Sequence, residues 1–397
     1  MPLRALTGIK VADFSHVVAG PLATHFLALN GAEVTKIEPP HGDPLRNYTL
    51  DPAERGMAPA FQGINTGKKS IVLDLKTDNG RAGAEAIIAG ADVVVENFLP
   101  GVMDSWGLGY EALSKINPRL VYVSNTGFGQ SGPYMKRNGY DTIFQALSGM
   151  MALTGEKDGP PAKVGLPIAD LTSGLWITIA ALVGLIGRGQ SERGTHIDVA
   201  MLDIQVSLLT IAASRFFATG EDPRRAGTEH PGRVPSAAFQ CRDGSWLHIS
   251  ASDQHWAAVC DVLQLDKLAS DRDLDLNAGR VTRREEVMQA MTAAIAKRER
   301  TEIAEALRAA GVPAGEVNSV REILSDRHIA ERGMVQEFDH PTAGKFPALR
   351  TPLQFSGFEN PKTSAPPLLG ADTDAVLSNL LGLSSEAIGK LRERGAI

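Results

Sequence analysis

Gly8-Ile-Lys-Val-Ala-Asp-Phe14, followed by Ser15-His-Val-Val-Ala-Gly-Pro21, residues 22–29 and Gly31-Ala-Glu-Val-Thr-Lys-Ile-Glu38, is the stretch that decides the fold. The first segment is a short apolar strand and the second a loop. Residues 22–29 have helical character, and the last segment returns as a strand. Strand, crossover helix and strand make a βαβ unit, which implies a parallel sheet. The loop lacks the G-x-G-x-x-G spacing, so it does not argue for a dinucleotide.

The alternation continues outward from there. Residues 70–75 form a strand, 79–88 a helix, 91–96 a strand, 111–116 a short helix and 120–125 a strand. The run Val93-Val94-Val95 is apolar on both faces, as a parallel sheet covered by helices requires. Ligands of such sheets bind beyond the carboxyl ends of the strands. The loops there span 15–21, 38–46, 76–80, 96–101 and 126–140. They and the strand starts hold Arg46, Lys68, Lys69, Lys76, Lys136 and Arg137, with Asn97 and Phe98 offering an amide beside an aromatic face. That set suits a nucleotide carrying phosphates, although each lone cation is equally a solvated side chain.

Further along, 140–151 has a helical pattern, 195–199 a strand pattern and 201–217 the pattern of one long helix. Residues 220–235 are rich in Gly, Pro, Arg and Glu and make a linker or active-site loop with Gly227, His230, Pro231 and Gly232 at its tip. A hairpin turns at Asp243-Gly244, helices follow at 254–263, 284–297 and 301–310, and paired strands at 335–339 and 346–355 precede two last helices. The expected fold is α/β: a Rossmann-like large domain over 1–219 and 315–397, a connecting loop at 220–236, and a smaller α+β domain at 237–314.

The 397 residues suit two domains. A net charge of -6, with 43% hydrophobic and 22% charged residues, describes an ordinary globular chain and supplies no basic field for nucleic acid or a membrane surface. Cys241 and Cys260 have no C-x-x-C spacing, which argues against a disulfide framework or a zinc site and for a reducing cytoplasm. The N-terminus has no signal-peptide core. The longest apolar run, 175–186, is shorter than the roughly 20 residues that cross a bilayer.

One carboxylate stands out. In Val164-Gly-Leu-Pro-Ile-Ala-Asp170-Leu-Thr-Ser-Gly-Leu-Trp176, a loop delivers Asp170 just before the apolar run, which is expected to be a buried helix. A helix N-terminus favours an ionised carboxylate, and such a group at a cleft can act as a nucleophile. Aspartate is also a preferred helix cap, and both readings stand at this point.

Taken together, several segments resemble the class III CoA-transferases, the family of formyl-CoA and carnitine CoA-transferases. They are Phe14-Ser-His-Val-Val-Ala-Gly-Pro, Gly31-Ala-Glu-Val-Thr-Lys-Ile-Glu, Lys68-Lys-Ser-Ile-Val-Leu-Asp-Leu-Lys, Val95-Glu-Asn-Phe-Leu-Pro-Gly, Thr126-Gly-Phe-Gly-Gln-Ser-Gly-Pro, Gly139-Tyr-Asp, Ala169-Asp-Leu-Thr-Ser-Gly and Pro367-Leu-Leu-Gly. Their order and spacing run from about Leu6 to the C-terminus. The resemblance implies that Asp170 is the nucleophile, that Leu73, Asp74, Leu75, Lys76, Asn97, Phe98, Leu99 and Met103 fall on CoA-binding positions, and that Val18, Ala19 and Tyr140 lie near the reacting acyl group. It also implies an interlocked homodimer, and no metal or cofactor beyond the CoA substrates. Val18 and the loop 227–232 depart from the formyl-CoA transferase pattern, which argues against the oxalate and formate pair. Family arginines for CoA fall on Pro39 and Ser105, leaving Arg46, Lys136 and Arg137 as candidate replacements. The segment 227–238 is similar to relatives that use succinyl-CoA and short dicarboxylates, with Arg46, Arg233 or His230 available for a distal carboxylate.

The implied chemistry is a ping-pong transfer through mixed anhydrides and an aspartyl-CoA thioester. Backbone N–H groups near Gly232 or at Ala19-Gly20 are candidate oxyanion donors. The loop 227–232 is either a lid that excludes water or a plain linker. Two rivals share the fold. An α-methylacyl-CoA racemase needs a His where this chain has Tyr140, a poor base at neutral pH. A non-catalytic acyl-CoA-binding protein would leave Asp170 unmodified.

Overall fold

Six parallel strands form the main sheet of the computed structural model: β1 (Lys10–Asp13), β2 (Glu33–Glu38), β3 (Lys69–Val72), β4 (Val93–Glu96), β5 (Val121–Thr126) and β6 (Thr195–Ala200). Their spatial order is β3-β2-β1-β4-β5-β6. The structure describes all residues except 1, 2, 52–55, 57, 342, 343, 362, 363, 394 and 396, and leaves aside the side chains of 380 and 381. The helices in chain order are α1 (Ala19–Leu29), α2 (Pro59–Ile64), α3 (Asp78–Ala89), α4 (Val102–Ser105), α5 (Tyr110–Ile116), α6 (Asp141–Leu147), α7 (Met150–Leu153), α8 (Ile168–Ser191), α9 (Met201–Ser207) and α10 (Thr210–Thr219).

Alternate strand residues enter opposite cores because successive side chains point to opposite faces. Val11, Val34, Val93, Val95, Val121 and Val123 pack against α1 and α8 through Ala23, Leu27, Ile177 and Ala181. Ala12, Ile71, Val94 and Tyr122 fill the other face with Ile87, Leu113 and Leu377. Both faces are covered, which accounts for the continuous valines of β4.

The chain divides into two compact units. The first holds Met1–Met150, Lys163–Gly220 and Arg327–Ile397; the second holds Met151–Ala162 and Glu221–Asp326. The second unit has an antiparallel sheet of β7 (Ser236–Gln240), β8 (Trp246–Ser250) and β9 (Ala314–Glu316). Its helices are α11 (Asp253–Leu263), α12 (Asp266–Ala269), α13 (Asn277–Thr282), α14 (Arg284–Ile295), α15 (Arg300–Ala309) and α16 (Val320–Leu324). Its core is built from Phe239, Leu247, Ile249, Trp256, Met291 and Leu307.

The first unit closes with α17 (Arg327–Glu331), the hairpin β10 (Val335–His340) and β11 (Gly344–Leu349), α18 (Thr373–Leu381) and α19 (Ser385–Glu393). Ser70 N–H donates to Asp372 Oδ2 at 2.9 Å and Val72 N–H to Thr373 Oγ1 at 3.0 Å. The chain end thus occupies the free hydrogen-bonding edge of β3.

Three local expectations are corrected. The helical pattern at 140–151 breaks into α6 and α7 around Gly149, whose φ of +92° no L side chain adopts comfortably. The single helix at 201–217 is α9 and α10, bent by 62°. The buried helix at 175–186 is the 24-residue α8, long and apolar enough by length and composition alone to cross a membrane. Only one face of α8 is buried, through Ala169, Ser173, Gly174, Ile177, Ala181 and Gly184. Leu175, Ile179, Val183 and Ile186 are exposed, the last at 67%. Small residues set how closely α8 sits. A Cβ on Gly174 would lie 3.1 Å from Ala19 O, and one on Gly184 would lie 2.5 Å from Val121 Cγ1.

Candidate active site

In an open parallel sheet, the ligand crevice lies beyond the carboxyl ends of the strands where the strand order reverses. Here that point falls between β1 and β4. β1 runs into the loop 15–18 and β4 into 97–101. The two loops are joined by Asn97, whose Oδ1 accepts from His16 N–H at 3.0 Å while its Nδ2 donates to His16 O at 2.9 Å. The His16 ring lies 4.9 Å from that of Phe98. Gly20 is required next to this loop, because a Cβ there would overlap Ser15 Cβ.

A buried set of charges underlies the same loop. Lys68 Nζ is 3.1 Å from Asp13 Oδ2 and donates to Pro21 O and Asn65 Oδ1. Lys36 Nζ is 2.9 Å from Asp43 Oδ2 and donates to Ser15 O at 2.7 Å. Arg46 forms a two-point pair with Glu38 at 2.7 and 2.8 Å. Burial opposes charge on Asp13, yet Lys68 and Lys36 hold its pKa down at about 2. Burial brings Lys68 down to about 8, opposed by Asp13. Acids and bases balance here, which is the condition under which buried charges persist.

Asp170 is the third residue of α8 rather than a residue before it. Its cap comes from elsewhere. Asp141 Oδ1 accepts from Ala169 N–H at 2.7 Å and Asp170 N–H at 3.3 Å, so Asp141 satisfies the helix end. Gln145 Nε2 donates to Asp141 Oδ2 at 2.6 Å, and Gln145 Oε1 accepts from Val164 N–H at 2.9 Å. Phe144 anchors this support, buried against Ala169 and Met201. A Cβ on Gly139 would lie 2.5 Å from its ring. The capping role of Asp170 is therefore replaced: Asp141 does the capping and leaves the Asp170 carboxylate free of it.

The direction of that carboxylate follows from helix contacts. Gly174 packs on Ala19 and Leu22, and Thr178 Oγ1 reaches Ala23 O at 3.5 Å. α8 and α1 thus run side by side in the same sense. Asp170 shares a face with Gly174, one turn earlier, so it falls level with the loop 15–18. Burial, and then the charge of Asp141, raises its pKa to about 6. Among the described residues, no cation or side-chain donor holds its oxygens. A half-buried carboxylate without a counter-ion, ionised at neutral pH, has the properties a nucleophile needs. If the ionised form is the reactive one, kcat/KM rises with pH through a limb near 6. Asp141→Asn keeps an accepting oxygen for the helix cap but removes the repelling charge, so the limb moves to lower pH; a pH–rate profile measures both.

The other expected site residues separate into groups. Val18 and Ala19 open α1. Tyr140 directly precedes Asp141 and is 83% exposed. Leu73, Leu75 and Met103 are buried in the sheet core, while Asp74, Lys76 and Leu99 are accessible at the strand ends. Lys136 is exposed, and the Arg137 guanidinium lies 3.6 Å over the Tyr134 ring. Arg46 is corrected. Its guanidinium is buried on Glu38 and Pro367 O, 3.9 Å over Phe61, and faces no ligand. His230 and Gly232 belong to the second unit, where Gly232 N–H donates to His230 Nδ1 at 3.1 Å. Arg284 holds their loop through His230 O, Pro231 O and Glu229. The loop is therefore braced within its own unit.

Beside β4 and β5 lies a cavity of about 180 Å³ lined by Glu96, Met103, Tyr110, Tyr122, Ser124 and His196. Ser124 Oγ is 2.9 Å from His196 Nε2, and burial raises the Glu96 pKa to about 7. Neither Glu96 nor Asp141 stands out in the sequence. Asp141 is within reach through the Gly139-Tyr-Asp segment, but its partners lie 28 and 29 residues away.

With this geometry in place, the comparisons fix the class. The chain matches the model of CoA-transferase family III over residues 6–373. It belongs to that family, and it is a CoA-transferase. It is 35% identical to the succinyl-CoA:glutarate CoA-transferase of Mus musculus over 396 residues, covering 100% of this chain and 91% of that one. It is 37% identical to the acetyl-CoA:oxalate CoA-transferase of Acetobacter aceti over 362 residues, covering 91% of each. The crystal structure of a CAIB/BAIF family protein from Brucella suis superposes with a TM-score of 0.86 at 35% identity, covering 96% of this chain and 100% of that one.

Proposed function

We propose that this enzyme moves CoA from an acyl-CoA, foremost succinyl-CoA, to a short dicarboxylate by way of Asp170. The observation that carries the proposal is the unpaired Asp170 carboxylate at the capped start of α8, level with the loop at the strand-order reversal. The relatives' names support a dicarboxylate acid, since glutarate and oxalate both appear among them. The mouse relative's name supports the succinyl donor.

An Asp170 oxygen attacks the thioester carbonyl and the C–S bond breaks, leaving a mixed anhydride and CoA thiolate. The thiolate attacks the aspartyl carbonyl and expels the donor acid, which leaves an aspartyl-CoA thioester. The acceptor carboxylate then displaces the thiolate to form a second anhydride. Thiolate attack on the acceptor acyl carbon frees Asp170 and the new acyl-CoA. No proton is gained or lost over the cycle, and the carboxylate is the group that can become an anhydride and return. The N–H groups of Ala19 and Gly20, which open α1 without a capping side chain, are the candidate oxyanion donors. With Arg46 turned inward, Lys76, Lys136 and Arg137 are the accessible cations for the CoA phosphates.

The working form is proposed to be a homodimer. Val183 and Ile186 of α8 and Ile211 and Phe217 of α10 form exposed apolar faces that a second copy would cover. A light-scattering mass equal to one chain would count against it.

A panel of acids assayed with succinyl-CoA, acetyl-CoA and formyl-CoA tests the substrate reading. Turnover with succinyl-CoA and a dicarboxylate is expected. Turnover confined to monocarboxylates would overturn it.

A further inference from the structure

The loop between β1 and α1 contains a backbone conformation that its own sequence opposes. Val17 has φ +66°, the left-handed region that a β-branched side chain avoids. Nothing local favours it, and Val17 is partly exposed. The conformation is held from outside, by successive backbone groups each taken by a side chain of another segment. Ser15 O accepts from Lys36 Nζ at 2.7 Å. His16 N–H and C=O are both taken by Asn97. Val17 N–H donates to Asp43 Oδ1 at 3.1 Å. Asp43 is fixed in turn, since its Oδ1 also accepts from Leu45 N–H at 2.8 Å, its Oδ2 pairs with Lys36, and its N–H donates to Glu38. Strained residues persist only where surroundings over-determine them, and here they sit at the crevice of the sheet.

We infer that Asp43 and Asn97 are positioning residues of the transfer reaction: acting through the backbone of His16 and Val17, they hold the switch-point loop in the one conformation that sets the acyl group against Asp170. This rests on the proposed role of Asp170. It also reassigns the Asn97 side chain, whose amide oxygen and nitrogen are both spent on His16 and are not offered to CoA. Val17 then has a definite consequence. Once a clamp is removed, valine drives the loop toward an extended backbone, and the competent fraction falls. Glycine at position 17 has no such preference and keeps the left-handed conformation accessible.

The test compares Asp43→Ala, Asn97→Ala and Val17→Gly, together with each clamp variant combined with Val17→Gly, in the full-length enzyme. Folding is checked by circular dichroism and thermal melting, and CoA affinity by calorimetry. The clamp variants are expected to lower kcat by about ten- to a hundredfold, the size set by backbone strain of this type, with the dissociation constant of CoA changing less than about threefold. Val17→Gly alone is expected to keep kcat within about threefold. Added to either clamp variant, it recovers at least about threefold of the lost kcat. A purely structural role predicts lower melting temperatures with no recovery by glycine, and that result overturns the inference. So does an unchanged kcat in folded Asn97→Ala, the variant that leaves the buried ion pairs intact. Hydroxylamine capture at Asp170 in the unaltered enzyme is measured in parallel. Its absence would remove the nucleophile, whereas the glycine recovery reports on the loop independently.

Discussion

Asp170→Asn is expected to abolish CoA transfer and, at the same time, to stabilise the protein. The loss should be at least about a thousandfold in kcat, because an amide cannot attack a thioester and return as a leaving carboxylate. The gain follows from linkage. The carboxyl pKa lies at about 6 in the folded chain against an ordinary 3.8. The folded state therefore binds this proton more tightly than the unfolded state. Stability from this group is fully present below about 4 and is lost as pH rises through 6. At pH 7 the wild-type enzyme bears that cost and the amide does not, a difference of about 1–2 kcal/mol after allowing for partial solvent access. Denaturant unfolding at pH 7 should show it, and the two proteins should converge near pH 4. Equal stability at pH 7 would mean that Asp170 is not held above its ordinary range. An inactive but more stable variant is the usual signature of a residue placed for chemistry at the expense of the fold.

The second large effect concerns the fold beneath the site. Lys68→Ala should destabilise by about 3–5 kcal/mol, the usual cost of stripping one partner from a fully buried ion pair. Asp13 would keep its hydrogen bonds from Ser15 and Thr24 but lose the ammonium at 3.1 Å. Pro21 O and Asn65 Oδ1 would lose a donor as well. Lys69 provides the contrast one residue away. Its pair with Glu33 has side chains 45% and 53% exposed, and Lys69→Ala should cost less than about 1 kcal/mol. Chemical denaturation of both variants measures the contrast. A loss below about 1 kcal/mol at Lys68 would show that the buried network is not what holds the loop.

The parallel sheet is legible in the sequence because its signals are local. Periodicity and the valine runs locate β1, β2, β4 and β5 within a residue or two, and the βαβ order carries the topology. Helix ends are less legible, because several are set from a distance. The start of α8 is capped by Asp141, on another helix, so nothing near Pro167 marks it. The exposed face of α8 reads as buried because an apolar run has the same pattern whether the protein core or another surface covers it. The candidate nucleophile is visible only through its segment, Ala169-Asp-Leu-Thr-Ser-Gly, since a lone aspartate near a helix start is an ordinary cap. Arg46 shows the opposite error. A cation in a strand-end loop resembles a phosphate ligand, and only the placement of Glu38, eight residues earlier, shows that it is spent inside the fold.

The most direct measurement uses the unaltered enzyme. It is incubated with succinyl-CoA, quenched with hydroxylamine and digested, and the peptide containing Asp170 is weighed by mass spectrometry. An acylated or thioesterified aspartate is captured as its hydroxamate, so the account predicts that modification at Asp170, dependent on acyl-CoA and absent from Asp170→Asn. An unmodified Asp170 in enzyme that is turning over under the same conditions would contradict it.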